Sequence, residues 1–255
     1  MRIAITSLAV VIFCGISAAA ERASPFTWTS VPPETESLVV GGHPYVQEGA
    51  GNPWSLQRAE KSASHILRFE VRAGDHWSED QSSGENKERS ELDGYKVRWT
   101  GKMPVWVAYS FLIEPGELYQ SSWTSIAQMA GNEARPFFVL YKGDELSIIA
   151  ERPGASGPAQ KQVYAAKLSR GEWHNVVYKL VQSSADDGGL KAWLDGHEIV
   201  DYHGPLGSNT NNAYWKFGVY RGYGPIATPI AVEYANMEVT GADLSRRVSA
   251  PLEVH

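Results

Sequence analysis

Apolar runs, mostly five to nine residues long and closed by Gly, Pro, Asn or Asp, recur along this chain, and no helical apolar period of useful length stands between them. The runs are Ile66 to Val71, Val105 to Ile113, Phe137 to Tyr141, Leu146 to Ala150, Trp173 to Val181, Leu190 to Leu194, Tyr214 to Tyr220 and Ile230 to Val239. Two connections between them read as hairpins. Lys142-Gly143-Asp144 joins F-F-V-L-Y to E-L-S-I-I, and Asp195-Gly196 joins K-A-W-L to H-E-I-V-D-Y, the second being a dipeptide that tolerates positive φ at both turn centres. Ten or so antiparallel strands in one unit bury their apolar faces only by stacking as two sheets. The expectation is therefore an all-β, concanavalin-like jelly-roll sandwich of two antiparallel sheets.

Hydrophobic residues make up 43% of the 255, with 24 Gly and 14 Pro, which excludes a disordered or collagenous chain. Met1-Arg2, an apolar run from Ile3 to Ile16 and Ser17-Ala18-Ala19-Ala20 have the three parts of a secretory signal peptide. The run is shorter than the ~20 apolar residues a bilayer span needs. Residues 1–20 are thus expected to be removed, leaving 21–255 as a single domain, secreted or periplasmic and monomeric, with no membrane partner. Losing Arg2 takes the 23 basic residues to 22 against 29 acidic ones, and a balance of this sign argues against nucleic acid as a partner. The one cysteine, Cys14, lies within the expected leader, so disulfides, thiolate nucleophiles and Cys-ligated zinc are not expected in the remainder. The histidines (His43, His65, His76, His174, His197, His203 and His255) show no metal-ligand spacing, and Asp186-Asp187-Gly188 reads as a turn rather than a calcium loop. No metal or organic cofactor is expected.

Three further segments carry polar residues where a buried strand would not. In Glu88-Arg89-Ser90-Glu91-Leu92, Arg89 and Glu91 share one face and read first as an ion pair, although a paired arginine retains donors for a ligand carboxylate. Gln128 interrupts the apolar Ser125–Ala130 and reads first as part of a wet face. In Tyr214-Trp215-Lys216-Phe217-Gly218-Val219-Tyr220-Arg221, period two sends Trp215, Phe217 and Val219 to the core and Lys216, Gly218 and Tyr220 to the other face. Gly218 would leave a gap there through which a ligand approaches the backbone. Asp75–Lys87 has no period and is expected to be a long surface loop, either carrying ligand contacts or merely connecting.

Arg-Ser-Glu-Leu at 89–92, Gln128, and Tyr-Trp-Lys-Phe-Gly-Val-Tyr at 214–220 resemble, in order, three signature strands of jelly-roll polysaccharide lyases, especially the heparin lyase I-like family and the related glucuronan and alginate lyases. F-E-V-R-A-G-D at 69–75, G-E-W-H-N-V-V-Y-K at 171–179 and L-K-A-W-L-D-G at 190–196 extend the similarity. The resemblance implies β-elimination at a uronic acid of an acidic polysaccharide. Arg89 and Gln128 would hold the sugar carboxylate and Tyr220 would move the protons, while Lys216, Glu91 and Arg221 would bind substrate. A phenol beside Arg and Lys is expected to have a lowered pKa. Where that family often has a histidine base two residues after the glutamine, this chain has Ala130. Tyr220 would then act alone, or a histidine such as His76 or His174 would enter from elsewhere, or the protein would bind without cleaving. A hydrolase of the laminarinase type would need E-x-D-x-E along one strand, which is missing. A lectin-like binding module remains open, since 9 Trp and 12 Tyr suit sugar stacking.

Overall fold

The computed structural model describes residues 25–33, 37–82, 86–131, 134–154, 159–208, 212–222 and 228–255. The expected signal segment, 1–20, lies outside them. In chain order the elements are β1 (Trp28–Ser30), β2 (Leu38–Val40), β3 (His43–Gly49), β4 (Leu56–Ala59), β5 (Leu67–Val71), α1 (Ser78–Ser82), β6 (Lys87–Asp93), β7 (Val105–Ile113), β8 (Thr124–Ala130) and β9 (Phe137–Lys142). There follow β10 (Glu145–Arg152), β11 (Ala159–Lys167), β12 (Trp173–Val181), β13 (Gly189–Leu194), β14 (His197–His203), β15 (Tyr214–Gly222), β16 (Ile230–Thr240) and α2 (Arg246–Ser249). They form two eight-stranded antiparallel sheets, β1-β4-β5-β16-β7-β12-β13-β14 and β11-β10-β9-β8-β15-β6-β3-β2.

The inward rows of the two sheets interlock through aromatic rings. Phe217 of β15 meets Tyr45, Phe69 and Tyr234 edge-on at 5.3–5.5 Å between centroids, the favoured geometry for rings whose faces are negative and edges positive. The Tyr234 hydroxyl reaches across the core to the carbonyls of Ile126 (2.5 Å) and Gly218 (3.0 Å), so β16 of one sheet is tied to β8 and β15 of the other. Asp195 and Gly196 both adopt positive φ (49° and 81°), as expected of that hairpin.

Gly218 corrects the expectation of a ligand gap. Its φ is 134°, and a Cβ there would lie 2.3 Å from the Ser90 carbonyl oxygen and 2.7 Å from the Glu91 Cα. Glycine is required because β6 passes too close, at a register shift between β15 and β8.

His174, one of the possible replacement bases, lies in the first sheet. Its Nδ1 is 2.7 Å from Asp195 Oδ2 and its Nε2 is 3.0 Å from the Ser169 carbonyl, two acceptors that only the protonated ring satisfies together. Burial draws its pKa down, but those bonds outweigh it and the net shift is upward. Asp195 is shifted downward, the bonds from His174 and Asn175 outweighing burial. A raised histidine contributes fully below its unfolded value of ~6.5 and loses that contribution as pH rises through the folded value. A lowered aspartate contributes above ~3.9 and is lost as pH falls through its folded value. We expect His174→Gln to cost about 1–2 kcal/mol near pH 5.5 and progressively less toward pH 9, read from denaturant midpoints. A cost that grows with pH would contradict the pair.

Candidate functional site

The three polar segments are neighbours in the second sheet, with β15 between β8 and β6. Tyr220 stands opposite Arg89, Gly218 opposite Glu91, and Lys216 opposite both Asp93 and Gln128. On the far side of β6, Glu48 of β3 is the partner of Glu91. Side chains of equal parity therefore collect on the face turned away from the core, where Arg89, Glu91, Gln128, Lys216 and Tyr220 come together.

Arg89 forms a fork on Asp80 of α1 (Nε to Oδ2 2.6 Å, Nη2 to Oδ1 2.7 Å), while its Nη1 donates to Glu48 (2.7 Å) and lies 3.4 Å from Glu91. The guanidinium sits 3.8 Å from the centroid of the Tyr220 ring, and Trp123 meets the same ring edge-on at 4.7 Å. Lys216 Nζ contacts Glu48 at 2.6 Å, Asp93 at 3.3 Å and Glu91 at 3.8 Å. Gln128 donates from Nε2 to Glu91 Oε1 at 3.1 Å.

Four carboxylates thus surround two buried cations, and buried charges persist only when paired. Burial pushes Glu91 up despite Lys216 and Arg89. Burial likewise pushes Asp93 up to about 6. Glu48 is held below the usual range, Lys216 and Arg89 outweighing its own burial.

Several expectations are corrected. The Tyr220 phenol is shifted upward, because burial outweighs the pull of Lys87 and Arg89. The Glu91 side chain has 0% exposure, so it supports Gln128, Arg89 and Lys216 from beneath and no sugar reaches it. Arg221 belongs to the opposite parity. It donates to Glu88 (2.6 Å) and to the Thr228 carbonyl (2.7 Å) on the core side of β15, away from the cluster. The stretch after Asp75 is not a structureless loop, although 83–85 of it lie outside the described residues. Asp75 anchors it by accepting from Asn52 (2.7 Å), Trp54 (2.9 Å) and the Arg72 amide (2.8 Å), and α1 then delivers Asp80 to Arg89.

Glu48, Asp80 and Asp93 were missed. Asp93 carried a signal, since Arg89, Glu91 and Asp93 follow period two. Glu48, in H-P-Y-V-Q-E-G, and Asp80, in a polar stretch, had none. Ala130 faces Tyr214, and His76 is held beside the start of β6 by a 2.7 Å bond between Nδ1 and the Lys87 carbonyl. A separate cleft of 520 Å³ on the first sheet is lined by Arg68, Glu70, Glu114 and Arg170; there Arg68 is already bound by Glu70 and Glu114.

The site is a polar, cation-bearing floor on one sheet of a two-sheet antiparallel sandwich. The family model for polysaccharide lyases matches residues 44–236, well over half of the chain, and the protein belongs to that family. It is a polysaccharide lyase. A search of curated sequences returned no match. Among solved structures the chain is similar to an endo-β-1,4-glucuronan lyase from the fungus Trichoderma reesei (TM-score 0.59, 15% identity, 84% of this chain and 94% of that one). It is also similar to the alginate lyase A1-II′ of polysaccharide lyase family 7 (0.55, 12%, 84% and 93%). A third similarity is to the catalytic domain of a GH131 β-glucanase from Podospora anserina (0.51, 14%, 72% and 75%). At these identities the likenesses establish the fold.

Proposed function

We propose that this lyase cleaves a uronate-containing polysaccharide by β-elimination, with Tyr220 moving the protons and Lys216 and Gln128 receiving the sugar carboxylate. The observation that carries the reading is the pairing of a phenol stacked on a buried guanidinium, at 3.8 Å, with an ammonium and an amide three to four residues along the same face. Elimination needs positive field at the carboxylate, so that the C5 proton becomes acidic, and a group to take that proton and supply one to the leaving oxygen.

Arg89 takes a different part from the one the resemblance implies. Four of its five N–H donors are engaged by Asp80, Glu48 and Glu91, so its main action is through the Tyr220 ring, where its charge lowers the cost of a phenolate. Gln128 has a second amide hydrogen beyond the one given to Glu91, and Lys216, although ion-paired with Glu48 and Asp93, gives its short hydrogen bond to Glu48 alone, so that N–H donors are left to turn toward a sugar carboxylate. The hydrolytic alternative suggested by the glucanase likeness needs two carboxyl groups free at the glycosidic bond; on β6, Glu91 has 0% exposure and Asp93 is paired with Lys216 at 3.3 Å. The signal-like N-terminus supports action outside the cytoplasm.

The test is a screen of glucuronan, alginate, heparin-type and bacterial exopolysaccharides for ultraviolet-absorbing unsaturated ends. New absorbance with a matching fall in chain length supports elimination and identifies the polymer. Cleavage that yields reducing ends without absorbance overturns it in favour of hydrolysis, and binding without cleavage overturns it in favour of a lectin-like role.

A further inference from the structure

We propose that Arg98 is a second anion subsite, which receives the carboxylate of an acidic sugar neighbouring the unit held at Lys216 and Tyr220. The inference rests on the uronate reading above and names a residue that none of the signature segments contains.

The chain turns sharply after β6, with Gly94 donating to the Trp215 carbonyl (3.0 Å) and Val97 to that of Gly94 (2.9 Å). Trp99 and Ala213 then exchange backbone hydrogen bonds of 2.7 and 3.0 Å. This pair of bonds lays residue 98 over the first residue of β15. The Arg98 guanidinium lies 4.3 Å from the centroid of the Tyr214 ring, and Tyr214 shares parity with Lys216 and Tyr220, so Arg98 is on the site face.

Two backbone carbonyls fix its orientation, Tyr95 O accepting from Nε at 2.7 Å and Asn212 O from Nη1 at 3.0 Å. Of its five N–H donors, both on Nη2 and one on Nη1 have no partner among the described residues. No carboxylate is paired with Arg98 among the described residues, in contrast to Arg89, Lys216 and Arg135, the last of which is bound by Glu151 at 3.3 Å. An exposed arginine held by carbonyls and an aromatic face, its charge uncompensated, is preorganised for a planar carboxylate.

Spacing agrees. Tyr214 and Tyr220 are six residues apart on one strand, about 20 Å at the usual strand rise, which is room for more than one sugar ring. The floor beneath Lys216 is rich in carboxylates, so net attraction for a polyanion has to come from cations at its margin, and Arg98 stands at one end of that row.

The experiment compares wild type with Arg98→Ala, Arg98→Lys and Arg98→Gln on a non-sulfated polyuronate and on a sulfated one, with thermal melts to establish folding. Arg98→Gln keeps a donor near the carbonyls if the alanine variant loosens the turn. We expect KM on the polyuronate to rise about five- to twentyfold in the Ala and Gln variants, with kcat at saturation within about twofold. The dependence of kcat/KM on salt should become shallower, since one screened charge contact is gone. Arg98→Lys should recover only part of the loss, because an ammonium lacks the fork. Unchanged KM and salt response in folded Ala and Gln variants overturn the subsite. An effect confined to the sulfated polymer overturns its assignment to a carboxylate. Wild type that forms no unsaturated product from any uronate polymer refutes the underlying reading instead.

Discussion

Tyr220→Phe is expected to lower kcat by about 10²–10⁴-fold, the usual range for a general acid–base group, with little change in melting temperature. The substitution removes only a hydroxyl; the ring contacts with Arg89 and Trp123 remain. The same residue sets the pH dependence. Burial holds the phenol above its ordinary value, so the ionised fraction is small at neutral pH and grows about tenfold per pH unit below that pKa. If Tyr220 starts as the base, log kcat should climb with a slope near one from pH 7 toward pH 10. A rate that levels off near the imidazole value of ~6.5, together with an active Tyr220→Phe and an inactive His76→Ala, would show that a histidine entering from the α1 side takes the C5 proton.

Lys216→Ala should be the most destabilising of the floor substitutions, by about 3–5 kcal/mol at pH 8, because it leaves buried carboxylates without their partner. Glu48, Asp93 and Glu91 all rely on that ammonium. Its loss raises the folded pKa values of all three, Glu48 from below the usual range and Glu91 and Asp93 from above it, so protonation then favours the folded state. The variant should therefore regain stability as pH falls from 8 toward 5, and a denaturant series across this range reads the trend directly. At low pH, where the variant folds, KM should still be raised, since the charge that meets the sugar carboxylate is gone. Equal destabilisation at pH 5 and pH 8 would mean that Lys216 acts by packing alone.

The strands of the sandwich were legible wherever side chains alternate cleanly. Val105–Ile113 and Trp173–Val181 were expected with the bounds that β7 and β12 have, and Asp195-Gly196 was read as the turn it is. Strand β3 was not legible, because H-P-Y-V-Q-E-G carries a proline, a glycine and little apolar alternation. It becomes a strand only by pairing with β6, and Glu48 arrives with it. Arg221 was within reach of the sequence, since period two already placed it in the row of Trp215, Phe217 and Val219.

The sequence by itself determined the all-β class, the two faces of β15 and the presence of a cation, an amide and a phenol on strands of the same kind. Local periodicity specifies which face a side chain takes, and that requires no partner. Only the tertiary structure decided which strands are neighbours, that α1 turns back so that Asp80 closes on Arg89, that Glu91 lies beneath the floor and that the Tyr220 pKa moves up rather than down. Each of these depends on long-range pairing or on burial. Burial is set by everything packed around a group, so its effect on a charge has no counterpart in the residues adjacent along the chain.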